Sequence, residues 1–281
     1  MDDKMNERSG AKDIGELQGK VLVFGGVYSN LQALEKLMEI ADYLHIPPGN
    51  IICTGDVVGY CAEPEASVQA IKHWGIHTIA GNVEIQLRER SDDCGCNFNE
   101  GSRCDLFSRR WYPFAQSHLS EDSLQWMEQL PDHLRFKYGK TKAYVLHGSY
   151  FDTSEFIFRS TAWEKKRANF EAVQADMILG GHCGLPFHHN QDGLSWLNAG
   201  VIGMPANDGT TRVWYMLLDL ENGEPVFQHQ HFEYDFVRAK LLMEQFKLPR
   251  EYSKTLETGI WDNCEILPEE EASLQGRAIE L

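Results

Sequence analysis

Val21-Leu22-Val23-Phe24-Gly25-Gly26-Val27-Tyr28-Ser29-Asn30 opens the part of the chain whose reading decides the fold. The first four residues are an apolar run and the next six a turn. Leu31 to Leu44 then set Leu34, Leu37, Met38, Ala41 and Leu44 at helical spacing. A strand that feeds directly into a helix through a glycine-rich turn begins an open α/β sheet. Such sheets bind ligands beyond the carboxyl ends of their strands, so this turn is expected to face a site. It nevertheless carries no Asp, Glu, His or Cys. Its glycines, with Ser29 and Asn30 at the helix start, also make it a candidate phosphate cradle.

Working outward, 281 residues suffice for one large domain or two small ones, and a 42% hydrophobic fraction suffices for a core. The formal charge of −16 argues against nucleic acid or an anionic membrane as partner. No apolar run is long enough to span a bilayer. Residues 1–18 are polar and hold no signal-peptide core, so a mobile tail and a cytoplasmic protein are expected. Seven cysteines, an odd number, make a disulfide framework unexpected, and Cys53 in its apolar run reads as a small buried hydrophobe.

Further apolar runs at Ile51–Thr54, Ile76–Ile79, Ala143–Leu146 and Met177–Leu179 predict strands. Leu134–Tyr138, Leu194–Leu197, Arg212–Leu220 and Val226–Tyr234 predict more. Helical patterning covers Ala66–Trp74, Trp111–His118, Asp122–Gln129, Ala162–Ala175 and Asp235–Phe246, while Arg88 to Arg103 is irregular and polar. His188-His189 reads as a solvated turn. The expected division is a tail at 1–18, one domain at 19–234, and a C-terminal appendage at 235–281.

Four of the apolar strands end in side chains able to bind a metal: Asp56, Asn82, His147 and His182. Each lies one to three residues past its strand, and the alternative is a set of polar strand caps. Imidazole nitrogens mixed with carboxylate and amide oxygens suit Mn, Fe, Zn or a similar divalent ion.

These residues, with their neighbours, resemble the motifs of the calcineurin-like metallophosphoesterases, in particular small bacterial and archaeal phosphodiesterases. That family reads Asp-x-His after the first strand, then Gly-Asp, Gly-Asn-His-(Asp/Glu), a lone His-Gly, and Gly-His-x-His. Gly55-Asp56-Val57-Val58-Gly59-Tyr60, Gly81-Asn82, His147-Gly148-Ser149 and Gly181-His182 match, and the likeness runs from about Lys20 to Leu220. The resemblance implies an α/β fold, a four-layer αββα sandwich with the site at the sheet edge. It also implies a departure. Where one metal is held, Gly26, Tyr28 and Gly184 replace ligands, whereas the other set is complete in Asp56, Asn82, His147 and His182. The family's general-acid His is Val83 here, with Glu84 kept beside it.

The expectation is one divalent transition metal (Mn, Fe or Zn) and a small phosphorylated substrate or nucleotide, hydrolysed slowly or only with a good leaving group. Asp56 and His147 would serve catalysis, and Asn82, Asn207 and Arg212 would touch substrate. Tyr28 would either give an O–H to phosphoryl oxygens or fill the vacated metal position. Two rival readings stay open. One is a non-catalytic metal-, nucleotide- or partner-binding protein on the same fold. The other is a redox or metal sensor built from Cys61, Cys94, Cys96, Cys104 and Cys183, whose spacing matches no zinc ribbon or ferredoxin pattern.

Overall fold

A computed structural model describes residues 11–96 and 98–281. Its strands are β1 (Lys12–Leu17), β2 (Val21–Phe24), β3 (Ile51–Cys53), β4 (His77–Thr78), β5 (Leu134–Tyr138), β6 (Thr141–Val145), β7 (Met177–Gly180), β8 (Pro186–Gln191), β9 (Leu194–Ala199), β10 (Val213–Glu221) and β11 (Glu224–Phe232). Its helices are α1 (Leu31–Tyr43), α2 (Pro64–Trp74), α3 (Asn82–Arg88), α4 (Arg103–His118), α5 (Glu121–Glu128), α6 (Trp163–Val173), α7 (Phe236–Gln245), α8 (Arg250–Thr258) and α9 (Glu269–Ala272). One sheet runs β11-β10-β2-β3-β4 and the other β1-β5-β6-β7-β9-β8.

Alternation along β2 explains the layering. Val21 and Val23 face the second sheet, in a core shared with Ile52, Met216 and Leu218 from their own sheet and Phe136, Val145 and Leu179 from the other. Leu22 and Phe24 point the opposite way, into the core beneath α1 with Leu34 and Leu37. A third core sits under α6, where Phe170 meets Ile178 and Trp196. A strand buried on both faces must be apolar throughout, as this one is. Helices therefore cover both outer faces of two stacked sheets, a four-layer αββα sandwich.

Three expectations change. Lys12–Leu17 is not tail but a strand, paired parallel with β5, Lys12 opposite Leu134 and Leu17 opposite Tyr138. Only Leu17 of the six is buried, so backbone pairing rather than an apolar face holds it, and hydropathy gave no signal. The rest of the expected tail, residues 1–10, lies outside the described residues. His188 and His189 belong to the edge strand β8, opposite Leu197 and Trp196 of β9. The turn after β2 is not an open cradle either. Asn30 is fully buried, its Oδ1 accepting from Ala33 N at 3.2 Å and its Nδ2 donating to Gly203 O at 3.0 Å and to the Tyr234 hydroxyl at 2.8 Å. Ser29 Oγ accepts from Gly59 N at 3.1 Å.

The C-terminal segment packs into the helix-covered core, Ala239, Met243, Leu248 and Leu256 joining Leu34 and Leu37. No helix among the described residues is long and apolar enough to cross a membrane.

Candidate metal centre

The four side chains reach one point from both sheets. Asp56 and Asn82 follow β3 and β4, whereas His147 and His182 follow β6 and β7. Asp56 and His182 adopt left-handed backbone conformations, with φ of 57° and 60°. Such a conformation costs a residue with a Cβ about 1 kcal/mol or more and persists only where the surroundings impose it. Glu84 imposes it at Asp56. Its fully buried carboxylate accepts the backbone N–H of Asp56 at 2.8 Å, Val58 at 3.0 Å and Gly81 at 2.9 Å. Burial and the neighbouring Asp56 push its carboxyl up to about 7.

His147 sets the chemistry of the cluster. Its Nδ1 lies 2.6 Å from Thr54 O, a contact that requires a proton on Nδ1 and leaves a lone pair on Nε2. Nε2 is 3.1 Å from Asn82 Oδ1, 3.1 Å from His182 Nδ1 and 3.2 Å from Asp56 Oδ2. Asn82 turns its oxygen inward because its Nδ2 donates to Cys94 O at 2.8 Å and Cys96 Sγ at 3.2 Å. Burial, with His147 beside it, pushes the His182 imidazole down to about 3, so that ring is neutral. Burial opposes a charge on His147 but the Asp56 carboxylate outweighs it and raises its pKa. A proton on Nε2 serves one acceptor at a time, whereas a divalent cation serves all four donors. Ligands held at about 2.1 Å from one ion lie about 3 Å apart, and His147 Nε2 lies 3.1 to 3.2 Å from each of the other three atoms. Asp56, His147 and His182 are also the one group of three metal-capable His, Cys, Asp or Glu side chains within mutual reach among the described residues. Asp56 Oδ1 is buried without a hydrogen-bond partner. The donor set fits an Mn, Fe or Zn ion.

On the other side of Asp56, aromatic rings pack against Gly26 and Gly184. A Cβ on Gly26 would lie 2.5 Å from Tyr28 Cζ, and one on Gly184 would lie 3.4 Å from the Trp261 ring. Tyr28 is buried and meets Tyr60 edge-on at 4.6 Å. Burial, with Asp56 nearby, raises its hydroxyl well above the ordinary tyrosine range, so it stays protonated. Phe156 stacks on His182 at 4.3 Å. A cavity of about 90 Å³ lies between these rings and the Asp56 and His182 side chains.

Other candidate residues fall elsewhere. Asn207 and Arg212 do not line this cavity. Asn207 Oδ1 accepts from Trp261 N at 2.8 Å, and Arg212 pairs with Asp208 at 3.0 Å and donates to Ile279 O at 2.7 Å. Both expected substrate contacts are instead committed to anchoring the C-terminal segment. Cys94 and Cys96 lie side by side, Sγ to Sγ 2.8 Å. Cys96, Cys104 and Cys183 line the cavity, but Cys61 does not. Burial pushes the Cys104 thiol up to about 11 and that of Cys183 up to about 12. These are protonated thiols, and no three cysteines gather as ligands among the described residues. Reading the sequence missed Tyr60, Phe156, Tyr252 and Trp261. Tyr60 beside the Gly-Asp motif was the one available signal.

Fold and donor set together define an αββα sandwich with, among the described residues, one metal-capable cluster at the strand ends. Residues 20–223 match the model of the calcineurin-like phosphoesterase superfamily domain, and the chain belongs to that superfamily. The uncharacterized protein MJ0912 of Methanocaldococcus jannaschii is 23% identical over 252 residues, covering 83% of this chain and 95% of that protein. The crystal structure of a metallophosphoesterase from Sphaerobacter thermophilus superposes with a TM-score of 0.67 at 22% identity, over 87% of this chain and 100% of that one. The hypothetical protein PH1004 of Pyrococcus horikoshii OT3 gives 0.72 at 21% identity, over 86% of this chain and 99% of its own. These two structures share the fold, and the αββα expectation holds.

Proposed function

We propose that the chain is a metal-dependent phosphoesterase whose centre holds one divalent ion through Asp56, Asn82, His147 and His182. The observation that carries this is the convergence of three ligand-capable atoms on His147 Nε2 at 3.1 to 3.2 Å, while its other nitrogen is tied to Thr54 O. An ion bound there supplies Lewis acidity toward a phosphoryl oxygen and toward water.

The chain's own residues do the rest. Thr54 O fixes the His147 ring, and the Cys94 carbonyl fixes the Asn82 amide. Glu84 holds the Asp56 loop in its left-handed turn. Tyr28, kept protonated by burial, is a neutral O–H donor at the cavity wall. Val83 is buried and cannot carry a proton to a leaving alkoxide, so substrates with good leaving groups are favoured. Support for one ion rather than two comes from Gly26 and Gly184, which offer no ligand atoms, and from the rings packed over them.

The test is metal analysis of purified protein, paired with hydrolysis of bis(p-nitrophenyl) phosphate under Mn, Fe or Zn. The expected result is about one equivalent of metal per chain, with both metal and turnover lost in His147→Ala. Two equivalents overturn the mononuclear centre. Turnover unchanged in His147→Ala overturns the catalytic role, and metal bound without turnover leaves a binding protein on this fold.

A further inference from the structure

The cavity beside the centre is walled by rings from four separate places in the chain: Tyr28, Tyr60, Phe156 and Trp261. Its wall is set in advance of any ligand. Tyr28 is clamped against Gly26 and Gly59, where a Cβ would come within 2.5 and 2.8 Å of the ring. The Trp261 indole N–H donates to Pro205 O at 2.7 Å, and Phe156 lies flat on His182. No Lys or Arg lines the cavity. Its carboxylates are Asp56 and Asp262, and the latter is already paired with Arg103 at 2.8 Å.

Asp56 and His182 belong both to this wall and to the metal-capable cluster, so a phosphate held at the cluster projects a substituent into the cavity. The surroundings reward an apolar substituent and penalise added negative charge. We propose that the cavity receives an apolar group of about one ring from a phosphate monoanion. The substrate class is then a phosphodiester with an aryl or bulky apolar ester group, in preference to a phosphomonoester. A volume of about 90 Å³ suits a single ring with one edge toward solvent.

This rests on the phosphoesterase reading, and the test separates the two. Titration calorimetry of the Mn-loaded wild-type protein compares diphenyl phosphate, dimethyl phosphate and phenyl phosphate, none of which needs to be hydrolysed. Diphenyl phosphate is expected to bind at least about tenfold more tightly than either of the others. Trp261→Ala is expected to shrink its advantage over dimethyl phosphate at least about fivefold, with metal stoichiometry checking that the variant is folded. Equal affinity for the diphenyl and dimethyl esters, or tighter binding of phenyl phosphate, overturns the proposal on wild-type protein alone. Rates on phenyl and methyl p-nitrophenyl phosphate share a leaving group and a charge and differ only in the spectator group. Turnover of both at equal kcat/KM sinks the cavity assignment and keeps the esterase. Turnover of neither, with the diphenyl preference intact in calorimetry, sinks the esterase and keeps the cavity.

Discussion

Glu84 satisfies three backbone donors with one carboxylate, and truncating it strands all three in a dry interior. Glu84→Ala is expected to cost about 3 to 5 kcal/mol and to lower the thermal midpoint by about 6 to 15 °C, read by a circular-dichroism melt. Gly26 is constrained differently. A methyl there would meet Tyr28 Cζ at 2.5 Å and Val201 Cγ1 at 2.7 Å. Gly26→Ala is expected to destabilise by about 2 to 3 kcal/mol. In a Tyr28→Ala background the same change should cost less by more than about 1 kcal/mol, a coupling that a double-mutant cycle in denaturant measures.

Between elements, Glu65 on α2 ties down the start of α5. Its carboxylate accepts Ser120 N at 2.9 Å and the Ser120 and Ser123 hydroxyls at 2.8 Å each. Partial burial alone would raise its pKa, but these bonds outweigh it and leave it below the ordinary glutamate range. A depressed carboxylate contributes stability that is present above its unfolded pKa, about 4.3, and lost as pH falls through its folded pKa. Glu65→Gln should therefore cost about 1 kcal/mol or less at pH 7, because solvent screens a carboxylate this open. The wild-type and variant curves should converge in denaturant titrations as pH falls through the folded pKa. Elements differ sharply in how far their residues announce them. β2, β3 and β7 are apolar on both faces and read directly from the sequence. β1 buries one side chain of six and β8 sits at a sheet edge, so both depend on backbone pairing that no hydropathy pattern records.

In the whole molecule, the metal-capable cluster straddles the two sheets, with Asp56 and Asn82 from one and His147 and His182 from the other. An ion bound there cross-links the sandwich, and ligand binding adds to stability by mass action. A chelator is expected to lower the thermal midpoint of metal-loaded protein by about 5 °C or more and to leave that of His147→Ala unchanged. The C-terminal segment is equally structural, since Met243 and Leu256 lie in the core with Leu34 while Tyr252 and Trp261 line the cavity. Deleting residues 235–281 should yield insoluble protein, or a midpoint more than about 10 °C lower, in expression and melting assays. The metal-capable residues were legible because each follows its own strand within four positions. The cavity was not, because Tyr60, Phe156 and Trp261 follow one another at intervals of 96 and 105 residues and only the finished fold brings their rings together.

Tyr28 over Gly26 also bears on which neighbouring sequences are open to this protein. Placing Asp at Gly26 drives its Cβ into a ring that is still present, at 2.5 Å. Placing His at Tyr28 first removes the ring and leaves a hole with no partner ligand beside it. Gly184 adds a third position, its open face already taken by Trp261 at 3.4 Å. New metal ligands at these positions thus require several coordinated replacements, each of which loses packing when made alone. Gradual mutation is held at the present packing, and building metal ligands on this side of Asp56 must change Gly26, Tyr28, Gly184 and Trp261 together.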